Sequence, residues 1–105
     1  MERTTFTVLF YIKRTKNLRD GSSPIYVRII MNDKRSEFGL KRSISVDLWN
    51  TKTGYAIGTS KEINLLNNYI DFVKGRLHQH RIHLQEHGKP LTVANLRKSY
   101  LEVGE

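Results

Sequence analysis

The chain contains no cysteine, which removes disulfides, thiolate zinc sites and cysteine nucleophiles from consideration and fits a reducing interior. It has no apolar run long enough to cross a bilayer, and its first residues show no charged stretch leading into an apolar h-region and a small-residue cleavage site. No membrane partner is expected, and the cytoplasm is the expected compartment. Acidic residues are scarce: 10 Asp and Glu stand against 18 Lys and Arg, a formal net charge of +8 on 105 residues. A chain of this length folds as a single domain with one modest core. Its 38% hydrophobic content is that of a folded protein and not of a charged tail.

A nucleophile beside a base, a carboxylate pair and a phosphate-cradling loop are also missing. Gly54 and Gly58 lack the strand-then-helix setting that a phosphate loop needs. Glu37, Asp47, Glu62, Asp71 and Glu86 fall on different elements and faces. Neither catalysis nor a cofactor is expected. His78, His80, His83 and His87 cluster late in the chain, and the 80/83 and 83/87 spacings could bind a metal. No further strong ligand accompanies them, however, so the expectation is no metal, with His80 in an apolar slot and the others facing solvent.

What is present is basic charge, concentrated early: eleven of the eighteen Lys and Arg lie in residues 1–60. A surplus of this size gathers polyanions, of which nucleic acid is the commonest in a cell. The same segment reads as strands. Phe6, Val8, Phe10 and Ile12 alternate with Thr7, Leu9, Tyr11 and Lys13; Ile25, Val27, Ile29 and Met31 alternate with Tyr26, Arg28, Ile30 and Asn32. In residues 34–42, Ser36, Phe38 and Leu40 alternate with Arg35, Glu37, Gly39 and Lys41. Period-two patterns of this kind predict strands with one buried face. Asn17, Asp20, Gly21, Ser22, Ser23 and Pro24 form a turn cluster between the first two strands. Asn32-Asp33 predicts a tight hairpin, since both residues tolerate positive φ. A three-stranded antiparallel meander results.

Residues 43–58 read as an ordered connection without a clean period. In it Trp49 is either a plug under the sheet or a base-stacking residue, the plug being favoured. Thr59 and Glu62 predict a capping box. Ile63, Leu66, Ile70, Val73, Leu77 and Leu84 then recur at helical spacing, with Leu65, Tyr69 and Phe72 widening the stripe. Gly88 and Pro90 predict the end of this helix near His87. Thr92 predicts a second helix over 92–103, carrying Val93, Leu96, Tyr100 and Val103 on one side, and the chain stops soon after it, as at an excised boundary.

Burying the apolar strand face leaves the other exposed: basic, with aromatics interleaved. Candidate contacts are Tyr11, Lys13, Tyr26, Arg28 and Lys41 on the sheet, with Arg14, Lys16, Arg19, Lys34 and Arg35 in or beside the two loops. Ammonium and guanidinium groups neutralise phosphates, Arg forks onto guanine, and Tyr donates to phosphate or packs on sugar. A sheet can enter a major groove as a helix does. Two other readings remain open at this stage: a protein-interaction module with an acidic partner, and a single-strand binder that stacks bases on Tyr11 and Tyr26.

The succession Phe10-Tyr11-Ile12-Lys13-Arg14, a Gly-Ser turn, Pro24-Ile25-Tyr26-Val27-Arg28-Ile29, Asn32-Asp33-Lys34-Arg35, Val46-Asp47-Leu48-Trp49-Asn50 and a long helix resembles one family. It is similar to the N-terminal arm-DNA-binding domain of tyrosine-recombinase integrases carried by Bacteroidetes conjugative transposons and related mobile elements, over residues 6–100. The resemblance implies an α+β fold in which a three-stranded sheet, packed on a helix, docks in the major groove of arm-type sites and helps to assemble the recombination complex. It implies double-stranded DNA as partner, together with the core-binding and catalytic domains of the same integrase, other protomers or accessory DNA-bending proteins, in a bacterial nucleoid. The family's nucleophilic tyrosine belongs to a separate catalytic domain, so Tyr11, Tyr26, Tyr55, Tyr69 and Tyr100 are not counterparts of it. This chain has Asn32-Asp33 where family members commonly carry Asn-Gly.

Overall fold

A computed structural model describes residues 6–16 and 18–102. It is α+β: three strands, a small hairpin and two helices in chain order. Strands β1 (Phe6–Ile12), β2 (Ser23–Met31) and β3 (Lys34–Ile44) form an antiparallel sheet in that order. Cross-strand partners include Leu9 with Arg28, Tyr11 with Tyr26, Arg28 with Glu37 and Tyr26 with Gly39. The alternation therefore holds: Phe10, Ile12, Ile25, Val27, Ile29, Met31, Phe38 and Leu40 are buried, and the intervening side chains lie on the other face.

Both connections within the sheet are built from local hydrogen bonds. Asn32 and Asp33 both adopt positive φ, 50° and 69°, the condition for a two-residue type I′ turn. The longer loop between β1 and β2 is nested: the Leu18 amide donates to the Ser22 carbonyl at 2.8 Å and that of Gly21 to Leu18 at 2.9 Å. The Asp20 carboxylate accepts from the amide and hydroxyl of Ser22, an Asx turn. Asn17 of the expected turn cluster and Val103 of the expected last helix lie outside the described residues.

Two boundaries of the sheet differ from expectation. β2 starts at Ser23 and β3 runs to Ile44, because the strands re-pair at Ser23 with Ile44 after a register shift between Pro24 and Tyr26. β3 absorbs the shift with surplus residues, and Lys41 sits there at φ 60°, so a bulge ends the alternation that placed Lys41 beside Glu37 and Gly39. Arg42 and Ser43 are exposed with it.

The connection over 43–58 contains structure that its sequence did not display. A 3-10 turn, Val46–Leu48, leads into β4 (Trp49–Asn50), which pairs with β5 (Tyr55–Ala56). Gly54 turns this hairpin at φ 75°, and a Cβ there would meet the Phe10 carbonyl oxygen at 3.1 Å, so the hairpin packs against β1. Trp49 is 5% exposed; it is the core plug and not a stacking platform.

Helix α1 (Lys61–Glu86) is capped by Ser60, whose hydroxyl accepts from the Ile63 amide at 3.2 Å. The cap is one residue later than the Thr59 expectation, so Glu62 does not stand at the third helical position from which a capping box closes. The helix buries Ile63, Ile70, Val73, Leu77, His80 and Leu84. Leu66 and Tyr69 are partly buried, but Leu65 and Phe72 are 58% and 56% exposed, so they do not widen the stripe. Its end is a Schellman motif: Gly88 at φ 66°, with the Lys89 amide on Leu84 and the Gly88 amide on Gln85. Helix α2 (Val93–Glu102) is capped by Thr92, which accepts from Asn95 at 3.0 Å, and contributes Leu96 and Tyr100 to the core.

Candidate nucleic-acid interface

The exposed sheet face is organised around one carboxylate. Glu37, on β3 directly across from Arg28, accepts from the Tyr11 hydroxyl at 2.5 Å and from Arg28 Nη2 and Nε at 3.1 and 3.3 Å, all at Oε1. Its Oε2 pairs with Lys13 Nζ at 2.6 Å. The three donors come from β1, from β2 and from the first residue past β1, so the cluster ties the sheet across its width. Lys13 and Tyr11 hold the Glu37 carboxyl down to about 2 by hydrogen bonding, against some desolvation. The carboxylate in turn raises the pKa of Lys13 and of Arg28, while burial, followed by the Glu37 contact, raises that of Tyr11. All four groups thus keep one protonation pattern at neutral pH.

The rings of this face carry cations. The Arg28 guanidinium lies 4.7 Å from the Tyr11 ring centroid, and Lys13 and Lys16 lie 4.1 and 5.7 Å from that of Tyr26. Lys16 Nζ also donates to the Tyr26 hydroxyl at 3.5 Å. The Tyr26 ring rests on Gly39, where an added Cβ would sit 3.6 Å from it, and the two tyrosine rings are 6.1 Å apart. Cation–π contact and a glycine seat hold these rings near the sheet.

Of the ten residues singled out from sequence, Tyr11, Lys13, Lys16, Tyr26 and Arg28 come together in this cluster. Arg14 and Arg19 are exposed on the nested loop at one end of the sheet, where Lys41 is also exposed on the bulge. Lys34 and Arg35 are exposed beside the hairpin at the opposite end. Basic groups thus flank the cluster at both ends of β2, a nine-residue strand about 30 Å long at roughly 3.3 Å per residue. Two residues escaped sequence reasoning. Glu37 was placed on the face without a role, although its position opposite Arg28 was readable from the hairpin register. Arg42, whose guanidinium covers the Tyr69 ring of α1 at 4.4 Å, was hidden by the bulge.

The histidines of α1 are separately engaged. His80 is buried and shares a 2.8 Å hydrogen bond with Ser99, whereas the exposed His83 and His87 pack against each other with tilted rings, centroids 4.1 Å apart. No group of three or more His, Cys, Asp or Glu suited to a metal occurs among the described residues, and no helix among them is long and apolar enough to cross a membrane. Set beside known proteins, the chain matches the family model described as an arm DNA-binding domain over residues 10–97. No curated protein and no solved structure matches it.

Proposed function

The chain belongs to the arm DNA-binding domain family of integrases, and from that premise we propose that its sheet docks, exposed face first, in the major groove of arm-type sites of a mobile element. The arm domain is a non-catalytic, DNA-binding module. In this reading the module grips duplex DNA distal to the crossover and helps to assemble the recombination complex. Cutting and joining belong to the core-binding and catalytic domains of the same tyrosine recombinase.

One observation carries the reading: a central Arg, Lys and Tyr cluster around Glu37 with exposed basic loops at both ends of the same strands. Basic groups at the periphery suit phosphates, which position a protein, and a guanidinium at the centre suits base edges, which specify sequence. Duplex is favoured over single strand because the Tyr11 and Tyr26 rings are already covered by Arg28, Lys13 and Lys16. Free ring faces are what a base-stacking platform requires.

Titration against duplex, single-stranded and heparin competitors over a salt series tests this. Log affinity for duplex is expected to fall linearly with log salt, at roughly −0.9 per phosphate neutralised, with duplex preferred. A salt-insensitive complex would point instead to a protein partner.

A further inference from the structure

Glu37 is the only acidic residue in β1, β2 and β3, and from the edge strand β3 its carboxylate reaches in among Tyr11, Lys13 and Arg28 of the basic face. There it cancels one positive charge and repels phosphate, a cost to any surface that binds by polyanion attraction. Nor does the fold need it much, since about a third of each of the Glu37 and Arg28 side chains is exposed and ion pairs so placed stabilise little. What the carboxylate does accomplish is geometric. It holds Arg28 side-on, by Nε and Nη2, while the Tyr11 ring backs the guanidinium at 4.7 Å. A guanidinium is a planar fork with five donors. The side-on hold engages the Nε/Nη2 edge and leaves the end-on Nη1/Nη2 edge, which can fork onto guanine O6 and N7.

Resting on the duplex reading above, we propose that Glu37 is the positioning residue that makes this sheet selective among sequences. It fixes Arg28 in one pose with the end-on edge available to a guanine, and its negative charge penalises duplex that offers no such partner. Pre-fixing the arginine removes the ordering cost of the contact at the moment of binding. The carboxyl, lowered to about 2, stays ionised wherever the protein would meet DNA.

The test begins by selecting a duplex from a random-sequence pool with the unaltered chain. Affinities of the unaltered chain, Glu37→Gln, Arg28→Lys and the double variant are then measured on the selected duplex and on a random duplex of equal length, over a salt series. Glu37→Gln is expected to tighten the random duplex several-fold and to leave the selected one unchanged or weaker, so that their ratio falls about tenfold. Arg28→Lys keeps the charge and loses the fork; it should lower the ratio similarly. The double variant should lower it no further, because both changes break one element. Equal tightening on both duplexes after Glu37→Gln, or losses that add in the double variant, overturns the proposal. Should Glu37→Gln fail to fold, an unchanged ratio in Arg28→Lys overturns it alone. A chain that selects no duplex at all refutes the arm-site reading itself, a different result from a selective chain whose Glu37→Gln variant stays selective.

Discussion

The side chain of Asn67 closes both backbone hydrogen bonds of Ala56: Oδ1 accepts the Ala56 amide at 2.9 Å and Nδ2 donates to its carbonyl at 3.1 Å. An amide side chain thus continues the β4–β5 ladder from the flank of α1, and it fixes the hairpin, with Trp49 beneath it, against the helix. Tyr55 adds a second tie, donating to Asp71 and accepting from Lys74 on the same helix.

Asn67→Ala is therefore expected to destabilise the fold by roughly 1–3 kcal/mol, the cost of leaving the polar groups of a buried residue without partners. Urea unfolding with an unchanged slope and a lowered midpoint would register it.

Phe38→Ala should cost about 3–5 kcal/mol, since Phe38 is 8% exposed and packs on Tyr100 of α2, and a cavity there loses contacts on both sides. DNA binding is expected to disappear with the fold. Loss of the circular dichroism signal in parallel with loss of binding checks this, and a folded variant without affinity would place Phe38 in the interface instead.

Arg28→Ala is expected to weaken binding to a selected duplex by roughly 1–3 kcal/mol and to affect a random duplex less. Arg19→Ala and Lys16→Ala should weaken both alike and reduce the salt slope by about one phosphate each. Measuring all three variants on both duplexes separates a base reader from phosphate clamps.

Stability should fall as pH drops below the ordinary histidine range. Burial lowers the His80 pKa, with Arg76 and His83 adding repulsion, and burial with Arg81 and Lys74 does the same at His78. The unfolded chain therefore binds protons more readily, so this contribution is complete above about 6.5 and is lost as pH falls beneath it. Thermal melts at pH 7.5 and 5.5 should differ, and His80→Gln should narrow the difference.

In stronger acid a second, small loss is expected, because solvent screens pairs as exposed as Glu37 and Arg28. The Glu37 pKa is lowered to about 2 in the folded chain, so its contribution is present above the unfolded value near 4.5 and disappears as pH falls through 2. A carboxyl resonance of Glu37 that titrates near 4.5 would contradict the three-donor arrangement.

The strands, both helices and the buried face were legible because a period of two and a period of 3.6 are properties of single segments. Residues 43–58 were not, since β4 and β5 have two residues each and owe their shape to Asn67 and to the close approach of Gly54 to Phe10. The bulge at Lys41 was hidden for a similar reason: surplus residues in a strand become visible only against the partner strand. In the site, residue types announced the basic face, but not that Arg28 is held. That constraint depends on Glu37 standing directly across the ladder, a fact of register and not of composition.

Strand β3 is one of the two outer strands of the three-stranded sheet, and among the described residues it pairs with no strand on its far side. A bare strand edge is a template on which another copy of the chain can add, the first step towards an aggregate. Here that edge strand carries Lys34, Arg35, Lys41 and Arg42, and its run is kinked at Lys41. Two copies approaching edge to edge would bring these like charges together along a line that does not stay straight. The features suited to gathering a polyanion therefore also discourage a second copy from adding along the β3 edge, a protection that weakens wherever salt or a soluble polyanion masks the charge.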